Sequence, residues 1–150
     1  LLISTTHGAE SSGLAAMMKT LDEFDKKSMA SKNWLAGTKL RTGLVNAISN
    51  SQLNGYLNII GDPCLLALEN FNSNGEPDAG LRTYFFQELI ARGICSQGIF
   101  LPTVSHTTKI IERTVRAFSE ACQAYSDGMK YGLKDKLIGP AIKPVFRAKI

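Results

Sequence analysis

The chain has 150 residues, 44% of them hydrophobic and 20% charged, with a formal net charge of +4. That length fits one domain able to bury a core of its own, and the composition is that of an ordinary globular protein. No apolar run approaches the roughly 20 residues that cross a bilayer, and the opening Leu1-Leu2-Ile3-Ser4-Thr5-Thr6 has no basic flank, which excludes a membrane span and a signal peptide as readings.

The first predicted element is a helix starting within Gly8–Ser12, with Leu14, Met17, Met18, Leu21 and Phe24 on one face and Ser11 or Ser12 as its cap. The charged run Asp22 to Lys27 marks its exposed end. A second helix is expected from about Ala30 to Ile48, with Trp34, Gly37, Arg41, Leu44 and Ile48 along one side, and Ser49-Asn50-Ser51-Gln52 ending it. Lys19 and Lys39 fall on positions expected to face solvent.

The period then shortens. Tyr56 to Gly61 reads as a strand, Asp62-Pro63 as a turn, and Cys64 to Phe71 as a second, more buried strand. Asn72 to Asp78 has the composition of a loop. Leu81, Tyr84, Phe85, Glu88 and Leu89 mark a third helix that Gly93 should end. Ile94-Cys95 and Ile99–Val104 are short strand candidates. The last helix carries Ile111, Thr114, Val115, Phe118, Cys122 and Tyr125 as a continuous stripe, with Thr107 as its expected N-cap. Four helices and a short, mostly antiparallel sheet predict an α+β architecture.

Cys64, Cys95 and Cys122 are widely spaced and form no CxxC pair, so neither a disulfide framework nor a zinc site is expected. Each lies in an apolar stretch, where cysteine usually behaves as a small buried hydrophobe. A reducing compartment, the cytoplasm, follows as the expectation. The charge is uneven: residues 127–150 hold six basic side chains against Asp127 and Asp135, leaving residues 1–126 neutral. A basic tail on a neutral body, without interleaved aromatics, is a weak nucleic-acid signal. A solvated extension, or one docked on protein outside this chain, is the expectation, with neither nucleic acid nor membrane as a partner.

Most catalytic signatures are missing. There is no dinucleotide fingerprint, P-loop or G-x-S-x-G elbow. His7 and His106 are too few for a histidine metal site, and no metal is expected. The segment Ser4-Thr5-Thr6-His7-Gly8-Ala9-Glu10-Ser11-Ser12-Gly13 puts hydroxyls and backbone N–H groups ahead of a helix. Such a place suits an anion or serves simply as a cap.

Four segments in order carry a resemblance. Ile3-Ser4-Thr5-Thr6-His7-Gly8-Ala9-Glu10, continuing through Gly13-Leu14-Ala15-Ala16, resembles the stretch after the catalytic lysine in class III aminotransferases that depend on pyridoxal phosphate (PLP), among them glutamate-1-semialdehyde aminomutases. Ile60-Gly61-Asp62-Pro63-Cys64 resembles their small-domain strand pair, and Leu81 to Leu89 with Arg92-Gly93-Ile94 the helix that follows. Ser105-His106-Thr107 resembles the start of the final helix.

The resemblance implies that residues 1–126 are the C-terminal small domain of a fold type I transferase, with 1–25 linking from a large domain and 127–150 a basic extension. The chain begins without Met and on strand-like residues, as expected of a domain cut from a longer protein. The implied cofactor is PLP, and the implied enzyme a homodimer with shared sites, acting on an amino or carbonyl substrate. Thr6, with Thr5 as its alternative, would hold the PLP phosphate of the neighbouring subunit. The Schiff-base lysine would precede Leu1, so this portion alone would be inactive. Gln97 and His106 would line the substrate entrance. The aminomutases carry an acid in the region that here reads Cys95-Ser96-Gln97-Gly98-Ile99-Phe100-Leu101. Its absence leaves a related aminotransferase equally open.

Overall fold

Among the described residues seven elements follow one another: α1 (Ser11–Lys26), α2 (Met29–Asn50), β1 (Leu57–Asp62), β2 (Leu65–Asn70), α3 (Ala79–Ala91), β3 (Ile99–Phe100) and α4 (Thr108–Tyr131). The computed structural model describes residues 10–143. The strands form one antiparallel sheet in the order β1-β2-β3, so the protein is α+β as the pattern predicts.

The hairpin register runs from Leu57 opposite Asn70 to Asp62 opposite Leu65, with Pro63-Cys64 as the turn. Gly61 takes φ +88°, and an added Cβ would overlap the Leu65 carbonyl, which is why the hairpin end needs glycine there. Leu57 and Ile59 on β1 share the buried face with Leu66 and Leu68 on β2. β3 stops at Phe100 rather than Val104. Pro102 has no N–H to donate, and a ladder cannot continue through it in mid-strand. Ile94-Cys95 is not a strand either: the Ile94 N–H returns to the Leu89 carbonyl at 2.9 Å and closes the end of α3.

α4 packs against both α2 and α3, and α2 also covers β1. Phe85 lies at the centre, its ring edge-on to Phe118 at 5.1 Å and to Phe86 and Tyr125 at 6.0 Å. Leu44, Leu57, Leu66, Leu89 and Cys122 are the other large side chains fully buried around it. Two glycines set how closely α2 approaches its neighbours. A Cβ on Gly37 would overlap the Pro63 carbonyl of the hairpin turn, and one on Gly43 would overlap the Val115 side chain of α4.

Several expectations need correction. α1 does have the expected apolar stripe, but it buries no residue, and Glu10 rather than Ser11 or Ser12 occupies the N-cap position. Its packing partner is α2, from which it is separated by Lys27 and Ser28, with Ser28 at φ 49°. Of the three cysteines Cys122 is buried, whereas Cys64 in the hairpin turn and Cys95 after α3 are exposed. α4 runs on to Tyr131, so the basic stretch from residue 127 begins inside a helix. Its residues 133–142 do not stand free in solvent; they lie against α3.

Candidate functional site

The chain between α3 and α4 is shaped by one helix stop and two turns. Arg92 ends α3 and Gly93 follows at φ +79°. The Ile94 N–H bonds to Leu89 and the Gly93 N–H to Ile90, the paired bonds of a Schellman ending that the Gly93 position predicts. Arg92 ties this corner to α4, with Nη1 2.7 Å from Glu88 and Nε 2.7 Å from Glu120. The hydrogen bond to Glu88 holds the guanidinium pKa above its ordinary value.

Ser96 then makes a small loop, its Oγ accepting from the Gly98 N–H at 3.0 Å and donating to the Ile99 carbonyl at 3.2 Å. Gly98 sits at φ +94° and its carbonyl takes the Leu68 N–H at 2.7 Å. After Pro102 a second turn forms, with the Thr103 N–H donating to His106 Nδ1 at 3.0 Å and the His106 N–H to the Thr103 carbonyl at 2.9 Å. With Nδ1 as acceptor, the ring proton belongs on Nε2. Thr107 caps α4 as its spacing predicts, accepting from the Ile110 N–H at 3.4 Å.

These turns enclose a cavity of about 290 Å³ bounded by α3's end, β3 and the first turns of α4. Cys95, Ser96, His106 and Thr114 give it polar points on an otherwise apolar wall of residues such as Leu101 and Pro102. His106 is thus on the cavity. Gln97 is not: it is exposed and away from the lining, and among the described residues its backbone carbonyl alone has a partner, Arg82 Nη2 at 3.0 Å. Thr5 and Thr6 lie outside the described residues. Lys19 pairs with Glu23 at 2.9 Å on α1, and Lys39 is exposed on α2, both on the outside as expected.

Arg82 is the residue that sequence reasoning missed. From α3 its Nη1 reaches the Leu68 carbonyl and Asn70 Oδ1, each at 3.3 Å, while Nη2 holds the Gln97 carbonyl. Its guanidinium stacks over Phe86 with 4.7 Å to the ring centroid. Burial pushes its pKa down from the ordinary arginine value. One planar fork therefore fixes the 96–98 loop, and with it one wall of the cavity, to β2. An arginine four residues before a phenylalanine on a helix is the one local signal that could have found it.

A mostly apolar cavity with an imidazole, a thiol and two hydroxyls can orient a small ligand through a few polar contacts. Its lining has no lysine, arginine or carboxylate. It does not by itself fit PLP, which needs an amine for its aldehyde and donors for its phosphate. Among the described residues no group of histidine, cysteine, aspartate or glutamate could hold a metal. No helix among them is long and apolar enough to cross a membrane. Compared with protein-family models and with curated proteins, the sequence matches none.

Proposed function

We propose that this chain is the C-terminal small domain of a PLP-dependent class III aminotransferase or aminomutase, a cytoplasmic homodimer that transfers an amino group on a carbonyl substrate. The observation that carries the reading is positional. The resembling segments fall, in their family order, on defined corners of an α+β unit: the β1–β2 turn at Ile60–Cys64, the body and stop of α3 at Leu81–Ile94, and the cap of α4 at Ser105–Thr107. The exposed stripe on α1 supports it as well. Leu14, Met17, Met18, Leu21 and Phe24 are 39–67% exposed, as befits a helix whose apolar face a larger domain would cover.

In this reading the cavity beside His106 borders the substrate entrance, and Thr6 or Thr5 reaches the phosphate of the partner's cofactor. PLP supplies the electron sink. This chain supplies anchoring and shape, and the Schiff-base lysine lies upstream in the parent protein.

A second reading draws on the cavity's lack of a lysine: a binding module that keeps the fold without the chemistry. One experiment separates them. The parent protein is purified with PLP and its absorbance recorded before and after borohydride. A visible aldimine band, trapped on one lysine upstream of Leu1, is the expected result; a colourless protein with no trapped lysine leaves the binding module.

A further inference from the structure

The segment after α4 is seated at the edge of the core by Leu133 and, farther along, by polar contacts to α3 that lie outside the cavity. Gly132 turns the chain at φ +80° with open space around it. Leu133 then enters a hole made by two helical glycines. A Cβ on Gly80 of α3 would stand 3.1 Å from its Cδ1, and one on Gly128 of α4 would stand 3.0 Å from its Cδ2. Tyr84 forms the wall beside them, 3.2 Å from that same Gly128 position. Glycine inside a helix is unfavourable relative to alanine, so Gly128 in α4, facing the same leucine as Gly80 in the first turn of α3, indicates a built socket.

Farther along, the Gln87 carboxamide engages two backbone groups at once. Its Nε2 donates to the Lys136 carbonyl and its Oε1 accepts from the Ile138 N–H, both at 2.9 Å. Those are the groups that a residue on a neighbouring parallel strand would take, so a side chain here stands in for a peptide unit. One helical turn earlier, Thr83 Oγ1 accepts the Ile142 N–H at 2.8 Å. Lys136 adds its ammonium over the Tyr84 ring at 5.6 Å. Residues 133–136 form a turn, with the Lys136 N–H donating to the Leu133 carbonyl at 3.0 Å and Asp135 at φ 61°; only from Gln87 back to Thr83 does the strap run opposite to α3. Apolar burial in the strap comes from the half-buried Leu133 and Leu137, because Ile138 is 90% exposed and Ile142 45%.

We propose that the outer face of α3, from Gly80 to Gln87 with Gly128, is a peptide-binding site for a segment that makes one turn and then runs back along the helix. Its ligand carries a leucine, then a free carbonyl three residues on and free N–H groups five and nine residues on. Its occupant is this chain's own segment 133–142, which leaves and re-seats as one unit while the core stays closed. Three hydrogen bonds and one socket must hold about ten residues against their conformational entropy. Such a piece opens well below the energy of global unfolding.

The test uses the full chain. In Leu133→Ala the amides of Ile138 and Ile142 should exchange hydrogen together, at least about tenfold faster, with the Phe118 amide in α4 unchanged. Gln87→Ala, a change at a partly exposed helix position, should do the same if the first variant folds poorly. A fluorescent peptide of residues 132–143 should bind the Leu133→Ala chain at least about tenfold more tightly than the wild-type chain, whose site is filled. The same peptide with Leu133 replaced by alanine and Leu137 kept should not bind. The proposal is overturned if Ile138 accelerates without Ile142, if both keep their protection in both variants, if Phe118 accelerates with them in both variants, or if the Leu133→Ala chain ignores the peptide.

Discussion

The Tyr125 hydroxyl in α4 donates to the Phe71 carbonyl, 54 residues earlier in the chain and 2.8 Å away. Phe71 follows β2 directly, so this bond pins the end of the sheet to the last helix. Tyr125 is fully buried. Tyr125→Phe keeps the ring and leaves the carbonyl without that partner, and should cost about 1–3 kcal/mol. Urea unfolding of the two proteins measures it; equal midpoints would mean the carbonyl finds water instead.

Burial pushes the Tyr125 phenol from 10.0 and the Cys122 thiol from 9.0, each up to about 12. Both groups are raised in the folded state, so between those limits the unfolded chain binds fewer protons than the folded one. Stability is then full below about pH 9 and falls as pH rises toward 12. Unfolding midpoints on either side of about pH 9 should show the drop. The same burial sorts the thiols: Cys64 and Cys95 should react with a thiol reagent in the native protein, and Cys122 only after denaturant is added.

Arg82→Lys should not behave as a conservative change. A lysine has no fork with which to span β2 and the 96–98 loop, and it cannot stack on Phe86 as a plane. A loss of about 2 kcal/mol is expected, with faster amide exchange at Gly98, whose own added Cβ would press on the guanidinium. Unchanged exchange there would mean that β3 pairing alone holds the loop.

Two α-helical glycines should answer alanine with opposite signs. Gly37→Ala sets a methyl into the Pro63 carbonyl and should cost about 3 kcal/mol or more. Gly13→Ala meets nothing closer than 3.8 Å on exposed α1 and should raise helicity, worth about 0.5–1 kcal/mol to the helix. Circular dichroism melts of the pair decide it.

The helical periods of α3 and α4 and the Asp62-Pro63 turn were legible because each is a local pattern. So were Gly93 as a helix stop and Thr107 as a cap. What sequence could not supply is the identity of the surface facing each pattern. The stripe on α1 has the spacing of a buried face yet is exposed among the described residues. Cys64 and Cys95 sit among apolar neighbours, but a turn and a helix end turn them outward. Arg82 bonds to residues 12 to 15 positions away. Gln87 finds the strap about 50 positions later, beyond any window of periodicity.

Ser28, at φ 49°, separates a helix that buries nothing from one that anchors the core. α1 has 16 residues and so is about 24 Å long. A change of about 30° at that single joint would swing its far end by roughly 12 Å, with no side chain leaving the core. The helix is a lever whose fulcrum is one serine. Whatever grips its apolar side therefore decides where Ser11 points relative to the cavity beside His106.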